Sequence, residues 1–173
     1  MIESFRCKAT RQLWETGQSR RFGSISSVAL RKLAMLDAAE CLEDLRVPPA
    51  NRLEILRGDR KGLCSIRVND QWRICFRWKN GRVTDIEIVD YHCTMKTSPT
   101  PTHVPIGPAL VSPGEILDEE FLKPMGLSQS ALAERMGVPR MRISEIIRGK
   151  RGITAETAIL LGEAFGTSAR FWM

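Results

Sequence analysis

Four prolines, Pro99, Pro101, Pro105 and Pro108, interleave with Thr and Ser in the stretch TMKTSPTPTHVPIGPALV between Cys93 and Ser112. Each proline fixes φ and withdraws a backbone donor, so the segment can continue neither a helix nor a central strand. It is expected to be an extended linker over residues 94–112, and at roughly 3.1 Å per residue its 18 or so residues would reach about 55 Å. A chain of 173 residues interrupted in this way is read as two small domains, 1–93 and 113–173. His103, alone among the linker prolines, is read as incidental.

The first domain runs from helices to strands. A short helix is predicted from Ala9 to Thr16, ending at Gly17, and Ile25, Ala29, Leu33 and Leu36 then recur at spacings of 4, 4 and 3, one buried helical face. After Pro48 and Pro49 the period shortens to two. Ile66 and Val68 flank Arg67; Ile74, Phe76 and Trp78 alternate with Arg73, Cys75 and Arg77; Ile86 and Ile88 alternate with Asp85 and Glu87. These are half-buried strands. Asn80-Gly81 is a strong two-residue hairpin signal and Asn69-Asp70 marks another turn. An α+β domain is expected, with helices packed on one face of an antiparallel sheet. Arg73 and Arg77 share the strand face opposite Ile74, Phe76 and Trp78, and are expected to point away from the core.

The second domain is predicted to be all helix. One helix opens at Pro113 and runs through Glu115 to Leu122, a second begins at Ser128, a third follows Val138, and a fourth begins near Thr154 and carries Ala158, Leu161 and Ala164. Ser168 to Met173 could start a fifth. Within LSQSALAERMGVPRMRISEIIRGKRG, Ser128 suits an N-cap, Leu132 and Met136 share a face, and Ala133 is small where another helix must cross. Gly137 suits a tight helix-to-helix turn and Pro139 the first turn of the next helix. With Ile143, Ile146 and Ile147 inward, Arg140, Met141, Ser144, Glu145 and Arg148 fall on one outward surface, as a major-groove recognition helix requires. Gln129, at the start of the preceding helix, and Lys150 complete the expected DNA-binding set. Any helical hairpin has inward apolar and outward charged residues; the length of the Gly-centred turn and the outward arginines favour the DNA-reading form.

Composition narrows the partners. The net charge of +6 is uneven: residues 1–94 hold 17 Lys and Arg against 12 Asp and Glu, and residues 95–173 hold 9 against 8. The first domain is therefore the more polyanion-seeking. No apolar run is long enough for a membrane span and MIESFRCKATRQ is too polar for a signal peptide, so a cytoplasmic protein without membrane contact is expected. Cys7, Cys41, Cys64, Cys75 and Cys93 are odd in number and never form C-x-x-C, which points to reduced thiols rather than disulfides or a zinc site. No metal and no cofactor are expected.

The stretch just described resembles the helix-turn-helix of the Xre and lambda-repressor class. From PGEILDEEF through SARFW the chain is similar, over nearly its whole second domain, to the HigA antitoxins. Upstream, RLEILRGDRKG, SIRVNDQWRICFRW and EIVDYH resemble the HigB toxins of the RelE/ParE superfamily, over residues 1 to 92. That resemblance implies a ribosome-dependent endonuclease that cuts messenger RNA without a metal, the substrate's 2′-OH attacking the adjacent phosphate. In-line attack needs a base, an acid, and cations around a phosphorane that gains charge. His92, whose ordinary pKa of about 6.5 suits proton transfer, is the expected proton donor or acceptor, Arg73 the expected phosphate stabiliser, and Arg57 and Tyr91 supporting residues. Arg60, Lys61 and Arg77 are expected to bind RNA phosphate. Glu54 stands where many such toxins carry a His, Arg57 where many carry a Lys, and Cys64 where many carry an aromatic; Glu54 is then a candidate base.

The resemblance further implies a toxin and an antitoxin joined in one chain, the second module starting at Met95, three residues past His92, as if two adjacent reading frames had fused. The antitoxin would restrain the nuclease, in cis or between chains, and repress its own operon as a dimer on palindromic operator DNA. HigA-type chains usually continue past Phe171-Trp172 into a further helix, so part of the dimer contact is expected to be missing here. The alternative is a repressor whose N-terminal domain is a degenerate toxin-like partner.

Overall fold

A computed structural model describes residues 1–91, 102–103 and 111–173. The chain divides into two compact units, one made of Met1–Asp37 and Asn51–Leu110, the other of Ala38–Ala50 and Val111–Met173.

The first unit is built on a six-stranded sheet ordered β2-β3-β4-β5-β1-β6. Its strands are β1 (Ser4–Phe5), β2 (Glu54–Ile55), β3 (Cys64–Arg67), β4 (Trp72–Lys79), β5 (Arg82–Asp90) and β6 (Thr102–His103). From β2 to β5 the pairing is antiparallel, as the alternating pattern requires. Asn80 and Gly81 both take positive φ, 52° and 73°, the geometry by which a two-residue turn follows the twist of β4 and β5. At the Asn69-Asp70 turn, the Asn69 side-chain oxygen accepts from the backbone N–H groups of Gln71 and Trp72 at 3.0 and 2.8 Å.

Three two-residue strands, β1, β2 and β6, escaped the sequence pattern. β1 pairs in parallel with β5, Phe5 opposite Ile86, so the sheet is mixed. Two residues are too few to show alternation. The N-terminus is held instead by particular bonds: Ile2 N–H donates to Asp37 Oδ1 at 2.7 Å, and Asp85 N–H donates to Ser4 Oγ at 3.0 Å. Of the linker, 102–103 pairs antiparallel with β1 as β6; its other residues up to Leu110 lie outside the described residues.

The helices α1 (Lys8–Thr16) and α2 (Ser26–Ala38) bury Leu13, Trp14, Ala29, Leu33 and Leu36. On the sheet, Ile66, Ile74, Phe76, Ile86 and Ile88 are buried as well. The expected helical and strand faces therefore both contribute to this core. β5 carries a bulge. Register passes from Cys75 opposite Glu87 to Arg77 opposite Thr84, with Asp85 at φ 55°, one extra residue that sharpens the local twist.

The second unit contains the short α3 (Leu42–Arg46) and a helical array. Ser112 Oγ accepts from Glu115 N–H at 3.1 Å, capping α4 (Pro113–Ile116). The helix continues through a π-helical stretch, Leu117–Leu122, into α5 (Lys123–Met125). Then come α6 (Gln129–Arg135), α7 (Arg140–Ile147) and α8 (Ala155–Phe165). Pro139 sits at the N-cap of α7, with φ −60° and ψ 137°, one position before the expected first turn. The final segment is a 3-10 turn, Ala169–Trp172, rather than a fifth α-helix. It closes an aromatic core in which Phe121 lies 4.9 Å from Phe165, 5.9 Å from Phe171 and 4.8 Å from Trp172, ring centre to ring centre.

Among the described residues no helix is long and apolar enough to cross a membrane. Packing of α4 on α7 leaves no room at Gly114, where an added Cβ would lie 2.0 Å from the Ile146 carbonyl oxygen. Backbone cannot yield as a side-chain tip can. Gly114→Ala is expected to destabilise the chain by about 1–3 kcal/mol in a thermal melt, whereas Gly152→Ala, with nothing within 4 Å, should change it little.

Candidate functional site

Two surfaces carry the predicted residues, one in each unit. In the first, register sets the site. Glu54 on β2 faces Ser65 on β3, and Ser65 faces Cys75 on β4, so Glu54, Ser65, Arg73 and Cys75 share the sheet face opposite Ile66, Ile74 and Phe76.

Arg73 departs from expectation. Rather than pointing freely away from the core, it is 8% exposed. The reason is a polar niche: its Nε donates to Ser65 Oγ at 3.0 Å, and its Nη2 donates to the Arg52 carbonyl at 2.8 Å and the Ser65 carbonyl at 3.3 Å. A buried guanidinium requires such partners, because an unpaired one would leave its desolvation uncompensated. Arg52 delivers its carbonyl from a left-handed backbone, φ 42°. The remaining end, Nη1, lies 3.3 Å from Glu54 Oε1, and the guanidinium carbon lies 5.4 Å from the Tyr91 ring centre. Glu54, with its side chain 52% exposed, and Tyr91, at 46%, both reach solvent.

Around this centre lie cations. Arg57, Arg60 and Lys61 are exposed on the β2–β3 loop, which includes the 3-10 turn Gly58–Arg60. Arg77 is exposed and pairs with Asp85 at 3.0 Å; its Nη1 lies over Gly62, where a Cβ would meet it at 3.3 Å. Burial pushes the Cys75 thiol up to about 11, Glu87 adding to the rise and Arg60 and Arg73 opposing it. The Cys64 thiol is also raised by burial. Among the described residues, no group of three or more His, Cys, Asp or Glu could hold a metal ion.

The structure thus brings together Arg73, Glu54 and Tyr91, with Arg60 beside Cys75 on the same face and Arg77 at the loop. His92 lies outside the described residues. Sequence reasoning missed Ser65 and Arg52 as the partners that fix Arg73. Ser65, a hydroxyl between Cys64 and Ile66 on a buried strand, carried a faint signal; the positive φ of Arg52 carried none, since the residue is not glycine.

In the second unit, Ser128 Oγ accepts from Ala131 N–H at 3.1 Å and starts α6. Leu132, Ala133 and Met136 are buried against the turn, where Gly137 takes φ 64° and Val138 N–H donates to the Ala133 carbonyl at 3.0 Å. Ile143 and Ile146 are buried and Ile147 half-buried. That burial leaves Arg140, Met141, Arg148 and Lys150 exposed, Met141 at 68%, with Ser144, Glu145 and Gln129 half-buried. Glu145 pairs with Arg151 at 3.3 Å and Arg142 with Glu156 at 3.7 Å. Ion pairs of this kind at a surface contribute little to stability.

Comparison with known proteins divides the chain at the linker. A model of the RelE-like HigB toxins of type II toxin-antitoxin systems matches residues 3–92, and a helix-turn-helix model matches residues 119–172. Toxin HigB-1 of Vibrio cholerae is 46% identical over 83 residues, 47% of this chain and 87% of that protein. Virulence-associated protein I of Dichelobacter nodosus is 56% identical over 63 residues, 36% of this chain and 58% of that protein. Antitoxin HigA-1 of Vibrio cholerae is 49% identical over 63 residues, covering 36% and 59%. The chain spans under two thirds of the length of these last two relatives. Among solved structures, the Pseudomonas aeruginosa antitoxin HigA with the higBA promoter is 48% identical, covering 36% of this chain and 68% of that one, at a TM-score of 0.36.

The thiol of Cys75 gives a direct check on how closed this face is. At pH 8 it should resist alkylation in the native chain while the exposed Cys41 reacts, since the thiolate is the nucleophile. Mass mapping that found Cys75 modified as fast as Cys41 would mean that the face opens.

Proposed function

The chain belongs to the RelE-like HigB toxins of type II toxin-antitoxin systems and carries a HigA-like helix-turn-helix antitoxin in the same polypeptide, and on that premise we propose a self-restrained, self-repressing ribonuclease. Its N-terminal part is a ribosome-dependent mRNA endonuclease that needs no metal. Its helix-turn-helix binds operator DNA as a dimer, in the cytoplasm.

One observation supports the nuclease above others. Arg73 spends Nε and Nη2 on the scaffold and keeps Nη1 at an edge shared with the exposed Glu54. A phosphate entering there meets a cation that is already oriented, so little reorganisation is needed as the phosphorane gains charge. In the proposed step the ribose 2′-oxygen bonds to phosphorus while the bond to the leaving 5′-oxygen breaks. The proton of the 2′-OH goes to a base and another is delivered to the 5′-oxygen, leaving a 2′,3′-cyclic phosphate and a 5′-OH. Glu54 and His92 are the candidates for these two transfers, and Arg57, Arg60, Lys61 and Arg77 hold the flanking phosphates. Ribosomal positioning of the RNA supplies much of the orientation.

The Glu54–Arg73 pair also favours a second reading, in which the carboxylate occupies the cation and the N-terminal part is a degenerate partner of a repressor. Ribosomes and a reporter message separate the two. The full chain should cut slowly, the chain truncated after Cys93 faster, and Arg73→Ala and His92→Ala should each lower cleavage about 10²-fold or more. Message left intact by both the full and the truncated chain would refute the nuclease. For DNA, Arg140→Ala should weaken binding to a palindromic site by about 1–3 kcal/mol if that side chain reads a base, measured by titration at fixed salt.

A further inference from the structure

The second unit contains a stretch that the family division assigns elsewhere. Residues 38–50 fall within the HigB-like match, yet they cluster with the helix-turn-helix residues 111–173. At the centre of that association is one carboxylate. Asp44, 1% exposed, accepts from four donors: Ser168 N–H at 2.6 Å on Oδ1, and Ser168 Oγ–H at 2.8 Å, Glu40 N–H at 2.9 Å and Cys41 N–H at 3.3 Å on Oδ2. Two of the four come from its own turn and would exist in a separate toxin. The other two come from the residue that caps the 3-10 turn closing the aromatic core, where Ser168 Oγ in turn accepts from Phe171 N–H at 3.3 Å.

We propose that Asp44 is the latch by which the antitoxin-like module grips the toxin-like polypeptide, its docking partner being the Ser168–Trp172 turn of the same chain. The charge makes the latch selective. A buried carboxylate must be met by hydrogen-bond donors, and Ser168 supplies both of its own to it. If Ser168 withdraws, each oxygen loses a donor, so partial release is disfavoured and the contact opens as a unit. Glu40 and Arg170, 3.5 Å apart but well exposed, add a screened rim. The latch works through space, independently of the Pro-rich linker. Its consequence for cleavage rests on the nuclease proposed above; its existence does not.

The test uses the full chain with a protease site placed in the linker at 106–108, past β6, so that the β1–β6 pairing stays within the first half. After nicking, the two halves of the unsubstituted chain should stay associated on dilution and co-elute. Asp44→Ala should weaken their association at least tenfold and Ser168→Ala severalfold, while Glu43→Ala, on the exposed face of α3 beside Arg46, should leave it unchanged. Halves that part at once in the unsubstituted chain, or that associate equally well with Asp44→Ala, would overturn the latch. Should Asp44→Ala fail to fold, Ser168→Ala carries the test, and an unchanged affinity there overturns it. In the uncut chain on ribosomes, Asp44→Ala should raise message cleavage at least tenfold. A chain that loses association without gaining cleavage keeps the latch and removes the nuclease instead.

Discussion

The guanidinium of Arg73 sits where a charge is costly, and the strands and loop around it answer that cost. Ser65 gives up a hydroxyl and a carbonyl that an all-apolar β3 would not offer, and Arg52 turns into the left-handed region to aim its own carbonyl inward. Non-glycine residues adopt such a backbone only where surrounding structure over-determines it. The side chain is consequently held by the scaffold at two of its three nitrogens, with the third at the rim beside Glu54. A freely rotating surface arginine would have to lose conformational freedom each time it met a phosphate; this one has lost it on folding. The same register that places Ser65 beside Arg73 places Glu54 at its rim, and Tyr91, just past β5, is tied to the start of β4 by its N–H to the Gln71 carbonyl at 2.8 Å, so the alignment of β2 to β5 specifies the centre.

The second unit solves a related problem with the opposite sign. There the buried charge is Asp44, which accepts from backbone amides and a serine hydroxyl, whereas Arg73 donates to carbonyls and a serine hydroxyl. Close approach elsewhere in this unit is arranged by size: Gly114 lets α4 lie against the Ile146 carbonyl, and Phe121, Phe165, Phe171 and Trp172 fill the space behind. A recognition surface results because the inward residues of α7 are claimed by that core, which forces Arg140, Met141 and Arg148 outward.

Much of this was legible in the sequence where a period or a turn chemistry repeats. The spacing of Ile25, Ala29, Leu33 and Leu36, the alternation through Ile74 and Phe76, and Asn80-Gly81 each fixed an element because the physics that forms it is local. So was the helix-turn-helix, whose Ser128, Gly137 and paired isoleucines act within one or two turns. The depth of Arg73 was not legible, since alternation states which face a residue takes and not whether that face is covered. Its partners come from Arg52 and Ser65, residues separated from it in sequence and joined only by register. β1 escaped because two residues show no period, and the excursion of 38–50 into the second unit because its deciding bond, Asp44 to Ser168, spans 124 positions.

The proposed nuclease rests on a pre-oriented cation, Arg73, beside the Glu54 carboxylate, with the RNA's own 2′-oxygen as the proposed nucleophile. Replacing the ribose 2′-OH by hydrogen at the scissile nucleotide of a message, on ribosomes with the truncated chain, tests it most directly. Cleavage at that nucleotide should disappear while neighbouring unmodified positions are still cut and end in 2′,3′-cyclic phosphate. Cleavage of the deoxy-substituted position at an undiminished rate would contradict it.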